Sequence, residues 1–256
     1  MKKFILTAFI FFICNFLYSQ SVYVEYLESK KMSENSRKMM PKGMFAMFSK
    51  SYLYVLEFKN GESIYKNHPK SLNIKPHDTT YIDDGIEKKE NIFNNQVEKV
   101  MYKNYATNEL LYTSPRGKDE VAYVKEKLID WNWTITNETK TINQFLCKKA
   151  TATARGINFT VWFTEDIPID AGPKFLNGLP GLIIYGENGN TIWEMKRIIN
   201  NADVKIEKLN FDNQKTYTTD ELEREIMGGR KNSNTEPIIT TKGNTTTTKT
   251  TKVITN

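Results

Sequence analysis

From Gly156 to Thr164 the chain alternates in character: Ile157, Phe159, Val161 and Phe163 fall on one side of an extended backbone, and Asn158, Thr160, Trp162 and Thr164 on the other. An apolar set that repeats at every second residue cannot share one face of a helix, so this stretch is read as a strand with its odd-numbered side chains turned from water. The same habit recurs. Val22 to Leu27 alternates, as does Tyr52 to Phe58, which runs into Asn60-Gly61, a dipeptide suited to the tight primed turn of a hairpin, with Ile64 to Lys66 returning. Shorter strand candidates are Gln96 to Tyr102, Glu109 to Thr113, Val121 to Lys127, Trp133 to Asn137 and Phe145 to Thr153. A further hairpin reads Leu182 to Tyr185, a turn through Glu187-Asn188-Gly189-Asn190, and Thr191 to Lys196. There Asn188-Gly189 is expected to supply the positive φ values.

Short strands about ten residues apart, joined by Gly, Asn and Pro, imply an α+β chain that is predominantly antiparallel β: a curved sheet or half-open barrel with one or two short helices. Its richness in aromatic residues, 14 Phe and 13 Tyr, suits pleated, half-buried strands. The βαβ rhythm and the glycine-rich dinucleotide fingerprint are both missing, which argues against a parallel α/β enzyme. Two helices are expected. Thr218-Thr219-Asp220-Glu221 fits a capping box, Leu222 and Ile226 share a face, and Gly228 stands where a glycine would end the helix. The other is Pro41 to Lys50, opened by proline and carrying Met44, Phe45, Met47 and Phe48.

The ends of the chain read differently. Met1-Lys2-Lys3 precedes the apolar run Phe4 to Leu17, the order of a secretory signal peptide, and as a helix that run rises only about 21 Å against a hydrocarbon core of roughly 30 Å. Residues 1–19 are therefore expected to be a cleaved leader, 20–228 a single β-rich domain, and 229–256, rich in Thr, Asn and Lys, a disordered tail with too little apolar surface to order itself. Cleavage leaves Cys147 as the sole cysteine, and the exported product, periplasmic or secreted, carries no stable membrane span. The formal charge of +6 is scattered rather than gathered in a patch, which excludes nucleic acid as the natural partner.

Between the two best strand regions lies a segment of three prolines and three glycines, Ile167 to Ile183, whose restricted backbone makes it an ordered loop. Within it, Gly178-Leu179-Pro180-Gly181-Leu182-Ile183 resembles the signature of the GLPGLI family of exported proteins. The flanking residues Asn108-Glu109-Leu110, Trp131 to Trp133, Cys147-Lys148-Lys149-Ala150, Arg155-Gly156, Trp162-Phe163-Thr164 and Gly172-Pro173 fit the same pattern. Phe145 and Ile157-Asn158-Phe159 replace the tyrosines usual there. The resemblance spans about residues 105 to 185 and implies an exported β-rich protein, with no substrate or catalytic residue to carry over. A phosphate-binding role for the loop is disfavoured, because no Lys-Ser/Thr follows and the next element is a strand.

Several residues invite chemistry. Cys147 would need a base, and His68 and His77, both beside prolines, show no metal or catalytic spacing, so a buried inert thiol is the expectation. Glu165 and Asp166 are adjacent at a strand end and point apart while the strand lasts. Met39, Met40, Met44, Phe45, Met47 and Phe48, with Trp162, make the candidate apolar ligand site, balanced against a core helix. The functional expectation is an exported, non-enzymatic binding or carrier module of the cell envelope for an apolar or lipid-like molecule, without metal or cofactor. The alternatives are an interaction accessory of an outer-membrane system, an envelope protein being its partner through the loop, and a hydrolase built on Cys147 or on Glu165 and Asp166.

Overall fold

The computed structural model describes residues 21–40, 51–72, 77–83, 86–92, 98–116, 120–231, 238–242 and 245–249. Strand β1 (Ser21–Lys30) leads to helix α1 (Glu34–Met39), the hairpin β2 (Ser51–Lys59) and β3 (Glu62–Asn67), and the one-turn helix α2 (Pro69–Leu72). A ribbon of β4 (His77–Asp83) and β5 (Ile86–Ile92) stands before β6 (Val100–Asn104), β7 (Glu109–Pro115) and β8 (Val121–Glu126). Next come β9 (Thr134–Ile142), β10 (Phe145–Ala154), β11 (Ile157–Thr164), β12 (Leu182–Glu187) and β13 (Thr191–Asn200). The described chain ends with β14 (Thr216–Tyr217), helix α3 (Thr219–Lys231) and a ribbon of β15 (Ile238–Lys242) and β16 (Thr245–Lys249).

Twelve of these strands form one sheet in the order β14-β8-β7-β6-β3-β2-β1-β13-β12-β11-β10-β9. Only β14 with β8 is parallel, and the sheet does not close on itself. The fold is thus the predominantly antiparallel α+β class expected from the alternation. On β11 Val161 and Phe163 are fully buried and Phe159 half-buried, as the alternation requires, while Ile157 at the turn stays 44% exposed and Thr164 at the other end is buried. β7 divides its side chains in the same way: Leu110 and Tyr112 join the main core, while Leu111 joins a second one with Ile64 and Tyr102. That outer cluster is covered by Ile206, Leu209 and Phe211 from the segment after β13.

Turn chemistry explains most of the hairpins. Asn60 and Gly61 sit at φ 52° and 76°, Arg155 and Gly156 at 50° and 73°, and Asn143 and Gln144 at 47° and 69°, each a left-handed pair of the kind that matches strand twist. The turn at Asn188-Gly189 departs from expectation, because neither residue takes a positive φ. Instead the Asn188 side-chain oxygen accepts from the N–H groups of Asn190 and Thr191, both at 2.8 Å, so the asparagine turns the chain by its side chain.

Helix α3 begins with the expected capping box: the Thr218 N–H donates to Glu221 Oε2 at 2.8 Å and the Glu221 N–H to Thr218 Oγ1 at 3.3 Å. It continues past Gly228 to Lys231, since a glycine inside a helix costs only about 1 kcal/mol and does not by itself stop one. Helix α1 was not foreseen. It is capped by Ser33, whose hydroxyl accepts from the Ser36 N–H, and it buries none of its residues. Among the described residues no helix is long and apolar enough to cross a membrane.

The sheet curls until its two ends meet. β8 and β10 each stand one strand in from an edge, at opposite ends of the sheet order, yet Arg155 at the β10–β11 turn lies 3.7 Å from Glu126 of β8 and 3.4 Å from Asp220 of α3. Helix α3 lies over this junction with Leu222 buried and Ile226 packed against the core.

Candidate functional site

The concave face of the sheet is occupied by the chain's own loop between β11 and β12. Ile167, Ile169, Ala171, Leu176 and Leu179 are buried there. The Leu182 N–H donates to Ile167 O at 2.9 Å and the Ile183 N–H to Ala171 O at 3.0 Å, folding the loop back along β12. Three side-chain donors then clasp its backbone. Lys103 Nζ donates to Leu176 O at 3.0 Å, Trp131 Nε1 to Phe175 O at 3.1 Å and Trp133 Nε1 to Asn177 O at 2.7 Å. Lys103 is fully buried, and burial holds its ammonium down at about 7, with the charge of Asp170 drawing it partly back up. Asp170 accepts from the Gly178 N–H, and burial lifts its carboxyl above the usual range against that hydrogen bond and the Lys103 charge.

The loop's glycines answer to space. A Cβ on Gly181 would lie 2.0 Å from Thr164 O, which is backbone against backbone, and one on Gly172 would lie 2.8 Å from the Ile183 side chain. Gly172, Pro173, Leu179, Gly181, Leu182 and Ile183 are buried, and only Gly178 and Pro180 of the motif reach the surface. This loop is a packed plug.

Where the sheet ends meet, a cleft of about 410 Å³ opens. Its apolar wall consists of Trp131, Phe159, Phe175 and Trp193, and its polar rim of Glu126, Arg155, Lys174 and Thr219 under the side of α3. Trp131 meets Phe159 edge to face, with ring centroids 4.8 Å apart. Thr219 Oγ1 donates to Glu126 Oε1 at 2.6 Å, so the Tyr112 hydroxyl, 2.6 Å from Thr219 Oγ1, is the donor to Thr219. Lys174 pairs with Glu28 at 3.4 Å, and Trp193 Nε1 donates to the other Glu28 oxygen at 2.9 Å. Two of the rim cations are conformationally strained: Arg155 and Lys174 have φ values of 50° and 51°, and every other described non-glycine residue with positive φ is Asn or Gln. A left-handed backbone at such residues costs on the order of 1–3 kcal/mol and persists only where the surroundings dictate it.

The residues singled out in the sequence are dispersed. Met39 is 85% exposed at the end of α1, Met40 follows it half-buried, and Met44, Phe45, Met47 and Phe48 lie outside the described residues, as does the leader. Trp162 is half-buried against the main core and stands beneath Lys140 Nζ, 4.0 Å from the ring centroid, while Trp131 and Trp133 hold the loop. Cys147 is fully buried, its thiol pushed up by burial, and Glu165 is exposed and paired with Lys148 at 2.8 Å. His68 Nδ1 accepts from the Lys70 N–H. Among the described residues no cluster of His, Cys, Asp and Glu is arranged to hold a metal ion. The cleft itself, drawn from β7, β8, the β8–β9 connection, β10, β11, the loop, the β12–β13 turn, β13 and α3, gave no contiguous signal. The only local hints were the Arg155-Gly156 turn and the tryptophan pair.

Comparison with known proteins now places the domain. The family model described as "N-glycanase peptide, N-terminal domain" matches residues 53–224. The chain belongs to that family. Solved structures of PNGF-II resemble it: one in a P21 crystal form at 17% identity and TM-score 0.50, covering 82% of this chain and 34% of that one. Another, in a C2 form, matches at 16% identity and TM-score 0.48, covering 81% and 32%. The first likeness supports the fold, and the chain spans about a third of the PNGF-II chain. No curated protein matches. The resemblance to the GLPGLI family is thereby corrected, because the matching model is that of the N-glycanase peptide domain. The physical reason is the plug: its glycines and prolines record close backbone packing, a demand that a six-residue motif shares with other folds.

Proposed function

We propose that this N-glycanase-type N-terminal domain is a non-catalytic binding module that receives an amphipathic ligand in the cleft between the ends of its curled sheet. The ligand's apolar face lies on Phe159, Phe175 and Trp193, and its hydroxyl- or amide-bearing edge meets Glu126 and Arg155. The observation that carries this reading is the convergence of an aromatic wall with two cations, Arg155 and Lys174, held on strained backbone at the rim. A sugar carried on a peptide has that two-sided chemistry, with C–H faces and hydroxyl edges, and the family description names an N-glycanase. A glycopeptide is therefore the first ligand to try, ahead of the purely apolar or lipid-like cargo expected from the Met/Phe cluster. A role outside the cytoplasm fits this ligand and the leader-like N-terminus.

The test is calorimetric titration of the full chain with an N-glycopeptide and with the same peptide lacking the glycan, alongside native mass spectrometry for bound lipid. Preferential binding of the glycopeptide, weakened at least about tenfold by Phe159→Ala and by Arg155→Ala, is expected. Equal binding of both peptides, or insensitivity to both substitutions, contradicts the reading. A hydrolase is the competing reading, since Glu126 and Glu223 both line the cleft. Glu126 has its two oxygens engaged by the Thr219 hydroxyl and N–H, a poor arrangement for a general base. Glycopeptide cleavage abolished by Glu126→Gln would reverse that preference.

A further inference from the structure

Behind the cleft lies a second hollow of about 240 Å³, and the two share Tyr112, Ser114, Lys174 and Phe175 as walls. Phe175 stands between them. Its carbonyl is held by the Trp131 N–H at 3.1 Å and the next one, of Leu176, by Lys103 at 3.0 Å, so the backbone here is fixed while the Phe175 side chain stays half-buried. Its ring meets Tyr112 edge to face, with centroids 5.5 Å apart. A ligand resting on Phe175 in the cleft is thereby a direct neighbour of the rear hollow.

The lining of that hollow suits carbon. Met101 and Tyr112 stand beside Phe175, and Tyr54 and Tyr65, stacked with centroids 5.1 Å and planes 9° apart, add a flat aromatic wall. Of its polar side chains, Thr113 Oγ1 already donates to Glu98 O at 3.3 Å, Lys174 is paired with Glu28 at 3.4 Å, and Lys99 is exposed to water. An apolar cavity of about 150 Å³ is enough to enclose a benzene ring, so this one has room for a phenyl or an isobutyl group.

We propose that the rear hollow is a specificity pocket for a large apolar side chain, Phe or Leu, carried by the peptide part of a glycopeptide next to its sugar-bearing residue. The assignment rests on the glycopeptide reading of the cleft and adds to it a demand on peptide sequence. The sugar lies on Phe159 and Trp193, and the neighbouring side chain passes Phe175 to pack on Met101 and Tyr112. Met101 and Lys99 line the hollow and not the cleft, and Phe159 and Arg155 line the cleft and not the hollow, so each reading has its own variants.

The experiment titrates the full chain with N-glycopeptides that differ only at the residue after the glycosylated asparagine: Phe, Leu or Ser. The Phe and Leu peptides are expected to bind at least about tenfold more tightly than the Ser peptide, the gain from burying one such side chain. Met101→Trp, which fills the hollow, should bring all of them to the level of the Ser peptide while leaving that peptide within about twofold of its wild-type affinity, a retention that also shows the variant to be folded. Should Met101→Trp not fold, Lys99→Trp at the exposed side of the hollow should erase most of the preference. Phe159→Ala should weaken every peptide by the same factor. Equal binding of the Phe, Leu and Ser peptides, or a preference that survives the filling variant, overturns the pocket and leaves the cleft reading in place. Failure of every glycopeptide to bind removes the cleft reading and the pocket with it.

Discussion

The β11–β12 loop and the cleft where the sheet ends meet make opposite use of the same ingredients. Both draw on tryptophans, a lysine and left-handed backbone. In the loop these are spent inward: Trp131, Trp133 and Lys103 donate to carbonyls of the plug, which fills the concave face. In the cleft Trp193, Arg155 and Lys174 are tied to the carboxylates of Glu28, Glu126 and Asp220 and border about 410 Å³ of opening. A conspicuous sequence motif can therefore mark the tightest packing in a molecule, while the place fit to receive a ligand is assembled from single residues far apart in the chain.

The glycines give the largest effect with which to break this contrast. Alanine at Gly181 would set a Cβ 2.0 Å from Thr164 O, and neither partner is a flexible side chain. Gly181→Ala should cost more than about 3 kcal/mol in urea unfolding or fail to fold, a large share of a typical domain's roughly 5–15 kcal/mol. Gly156, beside the cleft, has φ +73° and nothing within 4 Å of its would-be Cβ, so Gly156→Ala should cost only about 1 kcal/mol of left-handed strain. Similar losses at the two sites would mean that the plug is not held against Thr164.

A buried lysine sharpens the contrast through pH. Lys103 is lowered from 10.5 to about 7, so between those values the unfolded chain binds a proton that the native protein does not. Native stability should therefore rise with pH across that window relative to Lys103→Met, by up to about 1.4 kcal/mol per pH unit, with the full cost of burying the charge present below about 7. Urea midpoints of the two proteins at mildly acidic, neutral and alkaline pH check this. A constant difference would show that the ammonium reaches water and that the clasp on Leu176 O is loose.

Much of the framework was legible because strands carry their face in every second residue. Val161 and Phe163 inward, the left-handed Asn60-Gly61 turn and the Thr218–Glu221 cap all follow from local rules. The Asn188 turn misled because asparagine has two ways to turn a chain, by φ or by its side-chain oxygen, and the sequence is the same for both. Lys103 escaped notice for a different reason. In Val100–Asn104 a lysine reads as a solvent-facing residue, and only the loop's carbonyls, some seventy residues away, make its burial tolerable. The cleft was invisible for the same cause: Glu126 and Arg155 become neighbours only because the sheet curls.

Amide hydrogen exchange across the β11–β12 connection tests the plug most directly. The N–H groups of Leu176, Leu182 and Ile183 should exchange as slowly as those of β11, opening only with the sheet itself. Exchange of these three at the rate of an exposed loop, while β11 stays protected, would contradict it.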